Sequence, residues 1–81
     1  MWGKLPEAVG CYRRALELDP GYPLAHHNLG QALYQQGKLD EAEESYRLSL
    51  RLMPGHVEGH NNLGAILLVR DQLDDAISAA R

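Results

Sequence analysis

Shifted by 34 positions, the chain overlays itself: Gly3-Lys4-Leu5 returns as Gly37-Lys38-Leu39, Glu7-Ala8 as Glu41-Ala42, and Tyr12-Arg13 as Tyr46-Arg47. Leu16, Leu18 and Pro20-Gly21 return as Leu50, Leu52 and Pro54-Gly55. The same shift carries His26, Asn28-Leu29-Gly30 and Leu33 onto His60, Asn62-Leu63-Gly64 and Leu67, and Leu39-Asp40 and Ala42 onto Leu73-Asp74 and Ala76. A period of this length is one supersecondary unit that cannot bury its apolar face alone, so the units must stack.

Each period reads as two helices. From about Leu24 to Gln36, His26, Leu29, Gly30 and Leu33 follow the i, i+3, i+4, i+7 spacing of one helix face. Gly37-Lys38 breaks that segment. Asp40 then reads as the N-cap of a second helix, with Glu43 three residues on as in a capping box. Ala42, Tyr46, Ser49, Leu50 and Met53 share a face of this helix, which stops before Pro54-Gly55. The third period places its break at Asp71-Gln72 and its cap at Asp74. Pro6 opens the first helix, where a missing N–H costs nothing. Five helices are predicted, at 6–18, 23–36, 40–53, 57–70 and 74–81, and their short connections make neighbours antiparallel. The composition agrees: the apolar residues are mainly Leu and Ala, strong helix formers, with no Phe and one Trp.

This pattern resembles the tetratricopeptide repeat, whose signature spaces a bulky residue, Leu-Gly, a large residue, Ala, an aromatic and Pro. The matching residues are His26, Leu29-Gly30, Leu33, Ala42, Tyr46 and Pro54, then His60, Leu63-Gly64, Leu67 and Ala76. Ala80 departs from the pattern where Tyr46 would recur. The resemblance covers essentially the whole chain and implies an all-α solenoid of antiparallel helix-turn-helix repeats. The divisions are 1–22 (second helix of a partial repeat), 23–56 (a complete repeat) and 57–81 (an incomplete one). It further implies that Gly30 and Gly64 face small Ala42 and Ala76 to let paired helices approach. Ala15 and Ser49 would play that part between neighbouring hairpins, with Leu29, Leu33, Leu50, Leu63 and Leu67 filling the core. Neither end reads as a polar capping unit, and Ala76, Ile77, Ala79 and Ala80 have little above them. A fragment of a longer array, or self-association through open ends, is therefore expected.

By the same resemblance the first helix of each hairpin lines a concave face. Its non-core residues are Leu24, His27, Asn28, Gln31, Tyr34 and Gln35, followed one repeat on by Glu58, Asn61, Asn62, Ala65, Leu68 and Val69. Asn28 and Asn62 occupy equivalent positions. An amide pairs with a peptide C=O and N–H together. Stacked helices lie about 8–10 Å apart and an extended peptide advances about 3.3 Å per residue, so the pair could grip a backbone at every third residue. This is similar to the asparagine ladder in the repeat arm of O-linked N-acetylglucosamine transferases. The alternative is that each Asn closes local contacts near its helix start. The family's carboxylate clamp needs basic residues, and His27, Gln31 and Glu58 do not supply them.

The other candidate chemistries fall away. Net charge is −3 with acids and bases interspersed, so no basic block awaits nucleic acid. No apolar run approaches the roughly 18 residues of a membrane span. Cys11 is the only cysteine, fits a reducing cytosol, and on the face of Ala8 and Ala15 reads as a small buried hydrophobe. His56 and His60 are four apart, but zinc needs three or four converging ligands. Ser45, Ser49 and Ser78 lack a nucleophile elbow, and Glu41, Glu43 and Glu44 with Arg47 and Arg51 read as a solvated face. The expectation is a cytoplasmic scaffold without cofactor or catalysis, which binds an extended peptide or protein segment. The alternative is the substrate-recognition arm of a larger enzyme such as a protein O-glycosyltransferase.

Overall fold

The structure, a computed structural model, describes the backbone of residues 5–80 and the side chains of residues 6–74. Four helices follow in order: α1 (Leu5–Leu18), α2 (Pro23–Gln35), α3 (Leu39–Leu52) and α4 (Val57–Ala80). Each packs chiefly on its sequence neighbour, with a smaller contact of α4 on α2. The result is an all-α tetratricopeptide-type solenoid, 45 × 32 × 19 Å across its principal axes.

The corners are built twice from the same bonds. Tyr22 N–H donates to Asp19 C=O, and one repeat later His56 N–H donates to Met53 C=O, both at 3.2 Å. His26 Nε2–H donates to the Pro20 carbonyl at 2.8 Å, and His60 Nε2–H to the Pro54 carbonyl at 2.7 Å. Because a carbonyl only accepts, each ring carries its proton on Nε2. The two equivalent histidines therefore tie the helix that follows each corner to the proline that made it.

Between α2 and α3 the turn is a Schellman motif. Gly37 adopts φ +80°, its N–H donates to Tyr34 C=O, and Lys38 N–H reaches back to Leu33 C=O, both at 2.9 Å. Only glycine takes up that left-handed backbone without steric cost. Asp71 stands at the equivalent position of the third period, and the turn does not form there. α4 instead runs unbroken for 24 residues, and the predicted break at Asp71-Gln72 with its fifth helix at 74–81 is corrected to one long helix.

The cap at Asp40 is corrected too. Lys38 occupies the N-cap without a side-chain bond, and Asp40 and Glu41 lie in the first turn of α3, where carboxylates favour the helix dipole. Glu43 faces outward to basic partners instead of back to the helix start. Its carboxylate accepts from Arg47 Nε at 3.0 Å and from Arg70 of α4, whose other nitrogen meets Asp40 at 2.9 Å.

The core gathers Val9, Leu29, Ala32, Leu33, Ala42, Tyr46 and Ile66, with Tyr12, Leu16 and Leu63 against it. Gly30 faces the ring of Tyr46 rather than Ala42: a Cβ there would lie 3.1 Å from Cδ2 and Cε2. Ser49 is fully buried, and its hydroxyl donates to the Pro23 carbonyl at 2.9 Å, a tie within its own hairpin. Between hairpins the close approach is Gly59 against Leu50, 3.0 Å from a Cβ built on the glycine. Cys11 is exposed, not buried, and Leu67, expected in the core, is 39% exposed. Ala76, Ile77, Ala79 and Ala80 lie outside the described side chains.

Candidate functional site

Residues of α2 and α4 flank a shallow concavity of about 230 Å³. Gln31, Tyr34 and Gln35 line it from α2, Asn62 and Ala65 from α4, and Tyr46 of α3 forms part of its wall. Four predicted site residues, Gln31, Gln35, Asn62 and Ala65, are thus brought together. Leu24, Asn28, Asn61 and Val69 do not line this concavity. Leu24 and Asn61 are exposed, while Asn28 and Val69 are partly covered.

His27 is placed elsewhere. It is 5% exposed and buried at the junction of α2, α3 and α4. Its ring meets Tyr46 edge-on at 5.3 Å between centroids and His56 at 4.7 Å. Nε2 lies 3.8 Å from the Glu58 carboxylate, and Nδ1 has no hydrogen-bond partner. Burial lowers the His27 pKa from its ordinary value and the nearby His56 lowers it further, with Glu58 opposing both. At neutral pH His27 is therefore a neutral wedge in the junction, not a hydrogen-bonding residue of the open groove.

Tyr46 links the two regions. Its ring packs against Gly30 and, edge-on, His27, and part of it reaches the concavity. Burial pushes its pKa up to about 12, partly offset by a polar contact from Asn62. Sequence reasoning gave Tyr46 only a packing role. The signal that could have found it is its position 16 residues after Gly30, across the turn from the groove helix.

The lining is amide, phenol and methyl, with Glu58 the carboxylate nearby. Such a surface can donate and accept hydrogen bonds and pack against aliphatic groups. Among the described residues no cluster of three or more His, Cys, Asp or Glu side chains could hold a metal ion. Among the described residues no helix is long and apolar enough to cross a membrane.

Two family models match the chain: one described as TPR repeat over residues 3–37, the other as tetratricopeptide repeat over residues 23–56. The chain belongs to the tetratricopeptide repeat family. The second match spans the complete repeat from the start of α2 to the corner after α3, and the first spans α1 and α2 across the preceding corner. No curated protein matches the chain. Tetratricopeptide repeats generally mediate protein–protein interaction and are typically non-catalytic scaffolds.

Proposed function

We propose that this tetratricopeptide repeat chain holds an extended peptide segment of a protein partner in the groove between α2 and α4. One observation carries the reading: the Gln31, Gln35 and Asn62 side chains meet around a concavity walled by Tyr34 and Tyr46. Three amides offer donors and acceptors to peptide groups, and the rings and Ala65 offer an apolar floor. Such a site grips a backbone and reads side chains weakly. The acidic net charge favours protein over nucleic acid, and the lone thiol of Cys11 suits a cytoplasmic setting.

Peptides selected from a random display library against the 81-residue chain, then titrated by calorimetry, test the reading. Loss of two hydrogen bonding side chains in Gln31→Ala with Asn62→Ala weakens binding about tenfold or more. Unchanged affinity in that variant, or a library that yields no binder, overturns it. A second reading, the recognition arm of a larger protein glycosyltransferase, is favoured by Asn28 and Asn62 at equivalent repeat positions. Peptides that lose affinity equally with Asn28→Ala and Asn62→Ala support that ladder; insensitivity to Asn28→Ala removes it.

A further inference from the structure

In α2 the face bearing His26, Gly30 and Leu33 is covered by α3: Gly30 is pressed on Tyr46, and Leu33 is 1% exposed. The equivalent face of α4 bears His60, Gly64 and Leu67, all exposed, and among the described residues nothing lies within 4 Å of a Cβ built at Gly64. By repeat equivalence residues 74–80 should cover it, as residues 40–46 cover α2. In this chain they cannot. Gly30 and Tyr46 are 16 positions apart and touch across a turn, whereas Gly64 and Ala80 are 16 positions apart on one unbroken helix. At about 1.5 Å rise per residue they stand about 24 Å from each other.

The geometry points to a second copy of this chain as the occupant of that face. We propose a two-fold exchange, in which residues 74–80 of each copy lie against His60, Gly64 and Leu67 of the other. Such an arrangement is closed and self-complementary, because each copy both lends the covering segment and offers the uncovered face. It also extends an interface already present. α4 is seated on α3 through the Gly59–Leu50 approach and the Arg70 ion pairs, and the incoming segment adds the next layer of the same stack. The switch between exchange and a folded-back hairpin lies at one position. Gly37 makes the first turn at φ +80°, and Asp71 replaces it in the third period, where a left-handed backbone costs about 1–2 kcal/mol. The exchange uses a face of α4 other than the peptide groove and stands independently of the groove reading.

Light scattering on the 81-residue chain tests the proposal, with twice the 9.0 kDa chain mass expected at micromolar concentration. Asp71→Gly with Gln72→Lys restores the turn chemistry of the first hairpin and is expected to give a monomer of unchanged fold by circular dichroism. For a direct reading, Gly64→Cys and Ala80→Cys are introduced on a Cys11→Ser background, at the positions equivalent to the touching pair Gly30 and Tyr46. Oxidation then links two chains, and adding Asp71→Gly with Gln72→Lys turns the same disulfide into one within a chain. A monomeric mass for the unaltered chain overturns the proposal. So do cysteines that close within one chain without the turn substitutions, or that do not close at all.

Discussion

Gly30 lies so close to Tyr46 that a single added carbon would sit 3.1 Å from the phenol ring. A glycine inside a helix ordinarily costs about 1 kcal/mol relative to Ala, so Gly30→Ala on propensity alone would stabilise the chain. Tyr46 is 1% exposed and packed edge-on against His27, so its ring must shift to admit the carbon. Gly30→Ala is therefore expected to destabilise, and Gly30→Leu by about 1–3 kcal/mol. Gly64→Ala, at the equivalent position where among the described residues nothing lies within 4 Å of the added carbon, is expected to stabilise by up to about 1 kcal/mol. Thermal unfolding of the three variants checks the contrast, since about 1 kcal/mol moves Tm by about 4–8 °C in a domain of this size.

The Schellman turn gives the second prediction. Gly37→Ala forces an L side chain into a left-handed backbone and costs about 1–2 kcal/mol. Among the described residues nothing lies within 4 Å of the added carbon, so the loss comes from the torsion and not from packing. Denaturant unfolding should show a lower midpoint at unchanged slope.

A third expectation concerns acid. His27 in the folded chain has a pKa below the ordinary 6.5, so between its two values the unfolded chain binds more protons and stability rises with pH. The contribution is complete above about pH 6.5 and is lost as pH falls towards the lowered folded value. The facing groups are Tyr46 from α3 and His56 and Glu58 at the entry to α4; His56 adds to the lowering of the His27 pKa and Glu58 opposes it. Melting curves at neutral pH and near pH 5.5 should differ, and His27→Phe should shrink the difference. An undiminished pH response in that variant places the sensitivity elsewhere.

Arg70 gives the fourth. It reaches from α4 to Asp40 and Glu43, while Arg47 holds Glu43 from the same helix. These hydrogen bonds, Arg47's first, depress the Glu43 pKa despite an opposing burial effect. Asp40 is largely solvated and Arg70 partly so, and Arg70→Ala should cost no more than about 1 kcal/mol. The loss should fade in molar salt, where the screening length is about 3 Å. Unfolding at low and high ionic strength distinguishes this from a packing effect, which salt would leave in place.

Much of the fold was legible because each corner rests on local chemistry that the sequence repeats. Pro20 and Pro54, with His26 and His60 following six residues later, mark both bends, and the first four helices begin within a residue of where periodicity places them. The fifth was misread because Asp74 looks like a cap, whereas the turn depends on a left-handed residue that Asp71 supplies poorly. Five of the six residues lining the concavity, Gln31, Tyr34, Gln35, Asn62 and Ala65, were legible, since they stand at spacings that clear the core of their helices. His27 was not, because its neighbours His56 and Glu58 arrive from the following repeat; its i, i+3 relation to Gly30 was the available hint.

The paired histidine–proline bonds have a practical consequence. A unit cut at one such corner and closed at the next carries its bend angle with it, since the bonds that set the angle lie inside the 34-residue segment 23–56 and its immediate flanks. Copies of that segment spliced in series should inherit a constant curvature, making the rod's arc length adjustable without redesigning any seam.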